Sequence, residues 1–266
     1  MSANYVYHAD GSLEIHMSDG SVMVYAAGND DGTPGRLISY ETPEHDVYSR
    51  YDDQNQPGHV DFDGGGSGDY IRHTDGTVSF HALPEGYTVV FADTDGDGEI
   101  DDVIRYTTKA GDVYSDYDDQ GNPGHVDFHD HTSGDYTYFP DGTVAFHSIE
   151  EGYTAVFADR DHDGEADDIV SMTTKGGDVY SDYDDQGNPG HVEFANDTWG
   201  DYTYLSDGKV LFTTNADGGY TILLDDLDGD GEVDDIVTQS MHNGDVYSDF
   251  DHLGKPHHVE FGDHTP

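Results

Sequence analysis

The sequence predicts an all-β protein built from four tandem repeats of an antiparallel β-meander. Three observations predict this fold: a motif at a fixed interval, apolar residues that alternate with polar ones, and turn-forming residues between the alternating segments. The motif DVYS begins at Asp46, Asp112, Asp178 and Asp245, at intervals of 66, 66 and 67 residues. Such self-similarity along a whole chain indicates a repeat architecture. We therefore expect a single repeat domain spanning 1–266, with repeats at approximately 1–67, 68–133, 134–199 and 200–266.

Each repeat is predicted to contain about six short strands. In the third repeat the alternating segments, in chain order, are DYTYFP, GTVAFHS, GYTAVFAD, DDIVSMTT, DVYSDYD and HVEF. Tyr, Phe, Val or Ile alternates there with Thr, Asp, Ser or His, which is the period of strands with one buried face. Gly, Asp, Asn and Pro between the segments are typical of hairpin turns. Four such repeats predict roughly 24 strands, and no stretch has the period of a helix.

Two ways of winding this meander suit the pattern. One is a solenoid or spiral of hairpins, in which each repeat covers the apolar face of its neighbour. The other is a β-propeller, in which the ring of repeats closes on itself. Most strands are apolar on one face only, as at Val126 and Phe128, whereas inner propeller strands are apolar on both. Six strands also divide badly into four-stranded blades, so the pattern favours the spiral.

The composition excludes several classes of partner. The chain has 58 acidic and 9 basic residues, a formal net charge of −49. With so few cationic side chains it cannot bind nucleic acid or an anionic membrane through phosphate contacts. Cysteine is absent, so neither a disulfide nor a thiolate metal site can form. No apolar run is long enough for a membrane helix and no signal peptide is visible. Because the chain is so acidic, we expect cations as its natural small partners.

An Asp-rich loop recurs at one place in three of the repeats. It reads DTDGDGEIDD from Asp93 to Asp102, and the pattern is D-x-D-x-D-G-x-x-D. Carboxylates at positions 1, 3 and 5 can converge on Ca²⁺ if the chain curls round it, and Gly at position 6 permits that turn. The carbonyl of position 7 then points inward and Asp at position 9 completes the shell. The predicted ligands are Asp93, Asp95, Asp97, Glu99 and Asp101; Asp159, Asp161, Asp163, Glu165 and Asp167; and Asp226, Asp228, Asp230, Glu232 and Asp234.

About three Ca²⁺ sites are therefore predicted. The alternative interpretation is a solvated acidic turn, but such a turn does not require this spacing three times in register. Mg²⁺ suits the loop less well because it demands a tighter octahedron, whereas a lanthanide would fit the same oxygen ligands. Without a cation, the crowded carboxylates would repel one another.

Two further sets of loops match the pattern poorly. In the first repeat the aligned stretch is AGNDDGTPG, where Ala27 and Gly35 replace two of the carboxylates, and we expect weak binding or none. A second loop, DYDDQGNPG at Asp116 and Asp182, keeps Asp at positions 1 and 3 but has Gln at position 5. We interpret it as a Pro-Gly hairpin turn.

Two family resemblances appear at these residues. FADTDGDGEIDDVIRYTT and FADRDHDGEADDIVSMTT resemble the FG-GAP/VCBS-type calcium repeats of extracellular propellers. YSDYDDQGNPGHVDF resembles, more loosely, the YD repeats of RHS-type proteins, whose hairpins wind into a spiral. Both families consist mostly of surface or secreted proteins. The resemblance implies an extracellular, calcium-stabilised scaffold, secreted or at the cell surface, with a cell-surface protein or glycan as its macromolecular partner.

Other functions fit the sequence less well. A zinc site at His125, His129 and His131 is disfavoured because the other repeats lack the last two histidines. No catalytic trio or phosphate-cradling loop stands out, so we expect no enzymatic activity. An adhesin or lectin-like module using Trp199 is an alternative. In a third interpretation, the acidic surface is an adaptation that keeps the protein soluble in high salt, and the loops bind no metal.

Overall fold

The structure is a computed structural model that describes residues 3–28, 33–251 and 254–262, and it confirms the all-β prediction. Across these ranges the chain forms 24 β-strands and one short 3₁₀ turn, Ala216–Gly218, and no α-helix. The predicted six strands per repeat are therefore present in all four repeats. No helix in the described part of the chain has the length and hydropathy needed to cross a membrane.

The chain divides into two compact units, Met1–Ser133 and Gly134–Pro266. Each unit comprises two of the predicted repeats. The strands of the first two repeats are β1 (Asn4–Tyr7), β2 (Leu13–His16), β3 (Val22–Tyr25), β4 (Leu37–Glu41), β5 (Val47–Ser49), β6 (His59–Asp61), β7 (Ser67–Arg72), β8 (Val78–Leu83), β9 (Thr88–Ala92), β10 (Asp102–Thr107), β11 (Val113–Ser115) and β12 (His125–Asp127). Each pairs with the next in antiparallel order.

The second unit repeats this order. Its strands are β13 (Ser133–Tyr138), β14 (Val144–Ser148), β15 (Thr154–Ala158), β16 (Asp168–Thr173), β17 (Val179–Ser181), β18 (His191–Glu193), β19 (Trp199–Tyr204), β20 (Val210–Thr214), β21 (Tyr220–Asp225), β22 (Asp235–Met241), β23 (Val246–Phe250) and β24 (Pro256–Glu260). Consecutive strands again pair antiparallel, so each unit is a simple meander. Whether the meander winds as a spiral or closes as a propeller stays a prediction.

The apolar core is thin and follows the repeat. The valine of each HV[DE]F motif is fully buried in the first three repeats, at Val60, Val126 and Val192. In the first unit Val60 packs with Phe80 and Ala82. A Cβ on Gly68, which lies on β7 beside β8, would collide with the Phe80 ring, so glycine is required for the ring to lie across the strand.

The aspartate of each DVYS motif joins two turns of its repeat. Its Oδ1 accepts the backbone N–H of a residue 17 positions later, which follows the HV[DE]F strand. Asp46 accepts from Asp63 at 3.0 Å and Asp178 from Ala195 at 2.9 Å. A carboxylate acceptor strengthens such a bond, which gives this aspartate a structural reason to recur.

Candidate metal centres

The three Asp-rich loops each close a β-hairpin, and each hairpin is irregular beside its loop. The loops join β9 to β10, β15 to β16 and β21 to β22. The strand pairing shifts register in each hairpin: between Val103 and Arg105, between Val156 and Phe157, and between Leu223 and Leu224. A shift of this kind inserts an extra residue, bends the strand and changes the direction of the chain leaving it. The register shift lies at the same place in these three hairpins, and the corresponding hairpin of the first repeat has it too, between Val24 and Tyr25.

The structure brings the carboxylates of positions 1, 3 and 5 together in every one of these loops. One oxygen from each lies within 4.8 Å of the other two. Seven of these nine residues are exposed, whereas Asp159 and Asp226 are half-buried. The clusters are Asp93, Asp95 and Asp97; Asp159, Asp161 and Asp163; and Asp226, Asp228 and Asp230.

The backbone of each loop holds the carboxylates in place. In the second repeat the Oδ1 of Asp95 accepts the N–H of Asp97 at 3.0 Å, and the Oδ1 of Asp97 accepts the N–H of Glu99 at 2.8 Å. The second oxygen of each carboxylate is left for another partner. Positions 4 and 6 both have positive φ, 79° at Gly96 and 96° at Gly98, so the loop needs two left-handed residues and not one.

Position 1 differs between the loops in a way that bears on cation binding. Asp93 accepts N–H groups on both oxygens, from Gly96 at 2.7 Å and from Gly98 at 3.2 Å. In the third repeat position 4 is His162, with φ of 66°. There the Oδ1 of Asp159 is shielded from solvent and accepts no hydrogen bond. A buried anionic oxygen without a donor is costly, and a cation would remove that cost.

The predicted ligand at position 9 lies outside the cluster of carboxylate oxygens. Asp101, Asp167 and Asp234 do not belong to the three groups. The pKa of the Asp101 carboxyl is raised above its ordinary value, first by loss of hydration and then by the charge of Asp97 and its other acidic neighbours. Loss of hydration and the neighbouring carboxylates therefore both disfavour a negative charge on Asp101. The side chains of Glu99, Glu165 and Glu232 at position 7 are exposed.

The aspartate at position 10 has a role that the sequence pattern did not reveal. The Oδ2 of Asp102 accepts the N–H of Thr94 at 2.8 Å and its hydroxyl at 2.7 Å. Asp168 accepts the N–H of Arg160, and Asp235 that of Leu227, in the same manner. These bonds tie the start of each loop to its end. The only signal in the sequence was the doubled Asp-Asp that ends each loop.

None of the nine clustered carboxylates has an ion-pair partner among the residues that the structure describes. The described Lys and Arg ion pairs lie elsewhere: Arg50 with Asp69, and Lys209 with Asp207 and Asp225. The atoms that converge in all three loops are carboxylate oxygens, and His162 of the third loop does not belong to its group. A group made only of carboxylate oxygens fits a hard cation such as Ca²⁺ better than a softer metal, which prefers nitrogen or sulfur.

The second loop of each of the first three repeats forms a hairpin turn, and its acidic residues belong to none of the three carboxylate groups. It joins β11 to β12 in the second repeat and lies across a cleft from the Asp-rich loop, with Asp101 and Asp118 among the lining residues. The third repeat has a matching cleft, where the Arg160 guanidinium donates to the carbonyl of Tyr183 at 3.0 Å. The cationic side chain of Arg160 thus occupies part of this acidic cleft.

The other candidate residues are the histidines of the second repeat, Trp199 and the first-repeat loop. Of the described residues, no histidine enters a group that could hold a metal ion, and His129 contacts Asp112 at 3.0 Å. Trp199 begins β19 partly exposed, with its ring centroid 5.9 Å from that of His191. The central part of the first-repeat loop, Asn29 to Gly32, lies outside the described residues.

Comparison with known proteins identifies no family. No family profile matches this sequence, and no curated protein matches it. The resemblances to calcium-loop repeats and to YD repeats therefore stay hypotheses based on their motifs.

Solved structures give only distant likenesses. The G-box domain of the microcephaly protein CPAP, described in a study that suggests a role in centriole elongation, is 15% identical, with 79% of this chain and 97% of that chain covered and a TM-score of 0.29. The TCP10 domain of Danio rerio CPAP, in complex with a peptide of STIL, is 15% identical over 89% and 99%, with a TM-score of 0.23. The TCP10c domain of Drosophila melanogaster Sas-4 is 12% identical over 79% and 98%, with a TM-score of 0.15. TM-scores this low carry no argument about this chain.

Proposed function

We propose that this chain is a non-enzymatic calcium-binding β-repeat protein, in which Ca²⁺ closes three Asp-rich loops and stabilises the fold. One observation carries the proposal: in three loops, oxygens from the carboxylates of positions 1, 3 and 5 lie within 4.8 Å of one another, with no ion-pair partner among the described residues. Carboxylates this close raise the free energy of the folded chain through mutual repulsion. A divalent cation converts that repulsion into attraction.

Hydrogen bonds within the loops support this proposal. The backbone N–H groups of positions 5 and 7 fix one oxygen of the carboxylates at positions 3 and 5, and the other oxygen is available to the ion. The shielded Oδ1 of Asp159 lacks a donor in the third repeat, and Ca²⁺ would satisfy it. Asp101, Asp167 and Asp234 are close enough in sequence to complete the shell, directly or through water, as position 9 does in other calcium loops.

The expected role of Ca²⁺ is structural. If the dissociation constant of a site lies a hundredfold below the free Ca²⁺ concentration, binding contributes about 2.7 kcal/mol, and three sites contribute about 8 kcal/mol. That is comparable with the whole stability of an ordinary domain. Such a protein would fold firmly where free Ca²⁺ is near millimolar. Together with the motif resemblances, this is the basis for proposing a secreted or cell-surface scaffold whose partner is a cell-surface protein or glycan.

Calorimetric titration of chelator-treated protein with Ca²⁺ tests this proposal, together with thermal melts in Ca²⁺, Mg²⁺ and NaCl. We expect about three sites and a rise in Tm that is specific to Ca²⁺. Equal stabilisation by NaCl, without heat of Ca²⁺ binding, would reject the metal sites and favour an acidic surface adapted to salt.

A further inference from the structure

Inside each unit, successive repeats meet through one recurrent junction between two strands. In the first unit β6 pairs with β7, placing His59 opposite Asp69 and Val60 opposite Gly68. In the second unit β18 pairs with β19 in the same register, with His191 opposite Asp201. The N–H of the tyrosine that follows each of these aspartates donates to the carbonyl of the glycine before the histidine, at 3.0 Å and 2.8 Å.

Side chains reinforce this junction in the same way both times. The Nδ1 of the histidine contacts the aspartate Oδ1 at 2.6 Å in each unit. The phenylalanine that ends the HV[DE]F motif packs edge-on against an aromatic ring of the next repeat. The ring centroids of Phe62 and Phe80 are 6.3 Å apart, as are those of Phe194 and Phe212. We name the two edges of the junction after the bond from the tyrosine N–H to the glycine carbonyl. The donor edge carries the tyrosine, and the acceptor edge carries His, Val and Phe.

Among the described residues of its unit, strand β24 pairs with β23 and with no other strand, and it carries the acceptor edge of this junction. It contains HHVE and is followed by Phe261, so His258, Val259 and Phe261 match His59, Val60 and Phe62. Phe261 is 74% exposed, against 38% for Phe62. The His258 side chain is 54% exposed, against 12% for His59.

Strand β1 presents the donor edge. Its described pairing is with β2, which places Asn4 opposite His16 and Tyr5 opposite Ile15. The pairing of β7 with β8 places Asp69 and Tyr70 opposite His81 and Phe80, so Tyr5 occupies the position of Tyr70. Tyr5 is 57% exposed, whereas Tyr70 is half-buried. The apolar side chain that would receive a phenylalanine ring is then Ile15.

We propose that β24 of one copy of this chain pairs with β1 of a second copy, in the register that joins successive repeats within each unit. His258 then lies opposite Asn4, the Tyr5 N–H donates to the carbonyl of His257, and Phe261 packs on Ile15. The partner is this chain because one molecule presents both halves of a junction that it already builds internally. The contact is head-to-tail, so copies form open filaments or closed rings, not isologous dimers.

Charge sets the condition for this association. Two copies each carry −49, which opposes their approach at low ionic strength. At about 1 M salt the Debye length falls to about 3 Å, which screens charges outside the junction. None of the residues in the junction belongs to the Asp-rich loops, so this association does not depend on the calcium proposal.

Sedimentation velocity of the full chain in 1 M NaCl and 1 mM Ca²⁺, at increasing protein concentration, tests the proposal. We expect the average mass to rise past that of a dimer. Phe261→Asp blocks the acceptor edge, and Tyr5→Pro removes the donor N–H; either should leave monomers. The control Ile149→Asp introduces the same charge in an exposed turn and should associate like the unmodified chain. Tyr5→Asp replaces Tyr5→Pro if the proline variant melts earlier than the unmodified chain.

A mixture of Phe261→Asp and Tyr5→Pro gives the most decisive test. Each keeps one intact edge, so the mixture should form 1:1 heterodimers and nothing larger. A monomeric unmodified chain at every concentration would overturn the proposal, as would a mixture that fails to pair. Dimers of Phe261→Asp alone would show that β1 pairs with itself and would also overturn it.

Discussion

Two loops of the second repeat have similar acidic sequences and different structures. In Asp93–Asp102, carboxylates at positions 1, 3 and 5 converge and none has a cationic side chain beside it among the described residues. In the loop that begins at Asp116, the Oδ1 of Asp118 accepts the N–H of Gln120 and of Asn122, both at 2.9 Å. Its Oδ2 accepts the side-chain amide of Asn122 at 3.1 Å.

The two loops differ in the hydrogen-bond donors that their own residues supply, although both are rich in aspartate. Gln120 stands at position 5, where the first loop has Asp97, and Asn122 stands at position 7, where it has Glu99. The amides satisfy Asp118 completely, and the pKa of its carboxyl is lowered, first by the backbone N–H of Asn122 and then by its side chain. The Asp-rich loop has no side-chain amide of this kind, which supports the proposal that a cation satisfies its carboxylates.

The largest expected effect comes from removing the position-5 charges together. The variant Asp97→Asn, Asp163→Asn, Asp230→Asn keeps an oxygen for each hydrogen bond and removes three charges from the proposed ligands. We expect the Ca²⁺-dependent stabilisation, about 8 kcal/mol for three sites, to be almost lost. Thermal melts in Ca²⁺ and in chelator measure it. In chelator the variant should melt higher than the unmodified chain, because repulsion in the loops is relieved.

The matched control removes the same number of charges from the second loops. Asp52, Asp118 and Asp184 each accept two backbone N–H groups in those loops. Changing all three to Asn should alter the melting temperature equally in Ca²⁺ and in chelator. If the control lost the Ca²⁺ response and the first variant kept it, the assignment of sites to loops would be reversed.

A smaller effect distinguishes the third-repeat loop from the other two. His162 holds a positive φ that glycine adopts at the same position in the other loops, and the Oδ1 of Asp159 lacks a donor there. His162→Gly should raise metal-free stability by about 1 kcal/mol through relief of the left-handed backbone. The Ca²⁺-dependent increment of this loop should fall, because a backbone N–H then reaches Asp159.

The reverse change, Gly96→His, provides the control in the second repeat. It should lower metal-free stability by a similar amount, about 1 kcal/mol, and increase the response to Ca²⁺. Chemical denaturation in chelator and in Ca²⁺ measures both differences. Equal effects of His162→Gly in the two conditions would mean that the unsatisfied oxygen plays no part in binding.

The sequence predicted part of this arrangement and could not predict the rest. The alternation of apolar residues and the interval of DVYS are local signals, so the strands and the number of repeats could be predicted from them. The convergence of positions 1, 3 and 5 followed from Gly98. The left-handed conformation at position 4 was hidden because one loop has His162 there. The bond from Asp102 to Thr94 depends on where two ends of a loop meet, which spacing alone does not determine.

The smallest expected effect concerns the pH dependence of the second loops. The pKa values of Asp118 and Asp184 are lowered by the amides of Asn122 and Asn188. A carboxyl whose folded pKa lies below its unfolded value of about 3.9 stabilises the fold at higher pH, and that contribution disappears as the pH falls through the folded pKa. Carbon-13 NMR titration of the carboxyl groups should therefore show both midpoints below the ordinary range.

The variant Asn122→Ala separates the side-chain donor from the backbone donor. The Asp118 midpoint should rise toward the ordinary range but stay below it, because the backbone N–H groups of Gln120 and Asn122 remain. The Asp184 midpoint, in the unchanged third repeat, is the internal control and should not move. If Asn122→Ala left the Asp118 midpoint unchanged, the side-chain amide would not be what satisfies this loop, and the contrast with the Asp-rich loop would rest on the backbone alone.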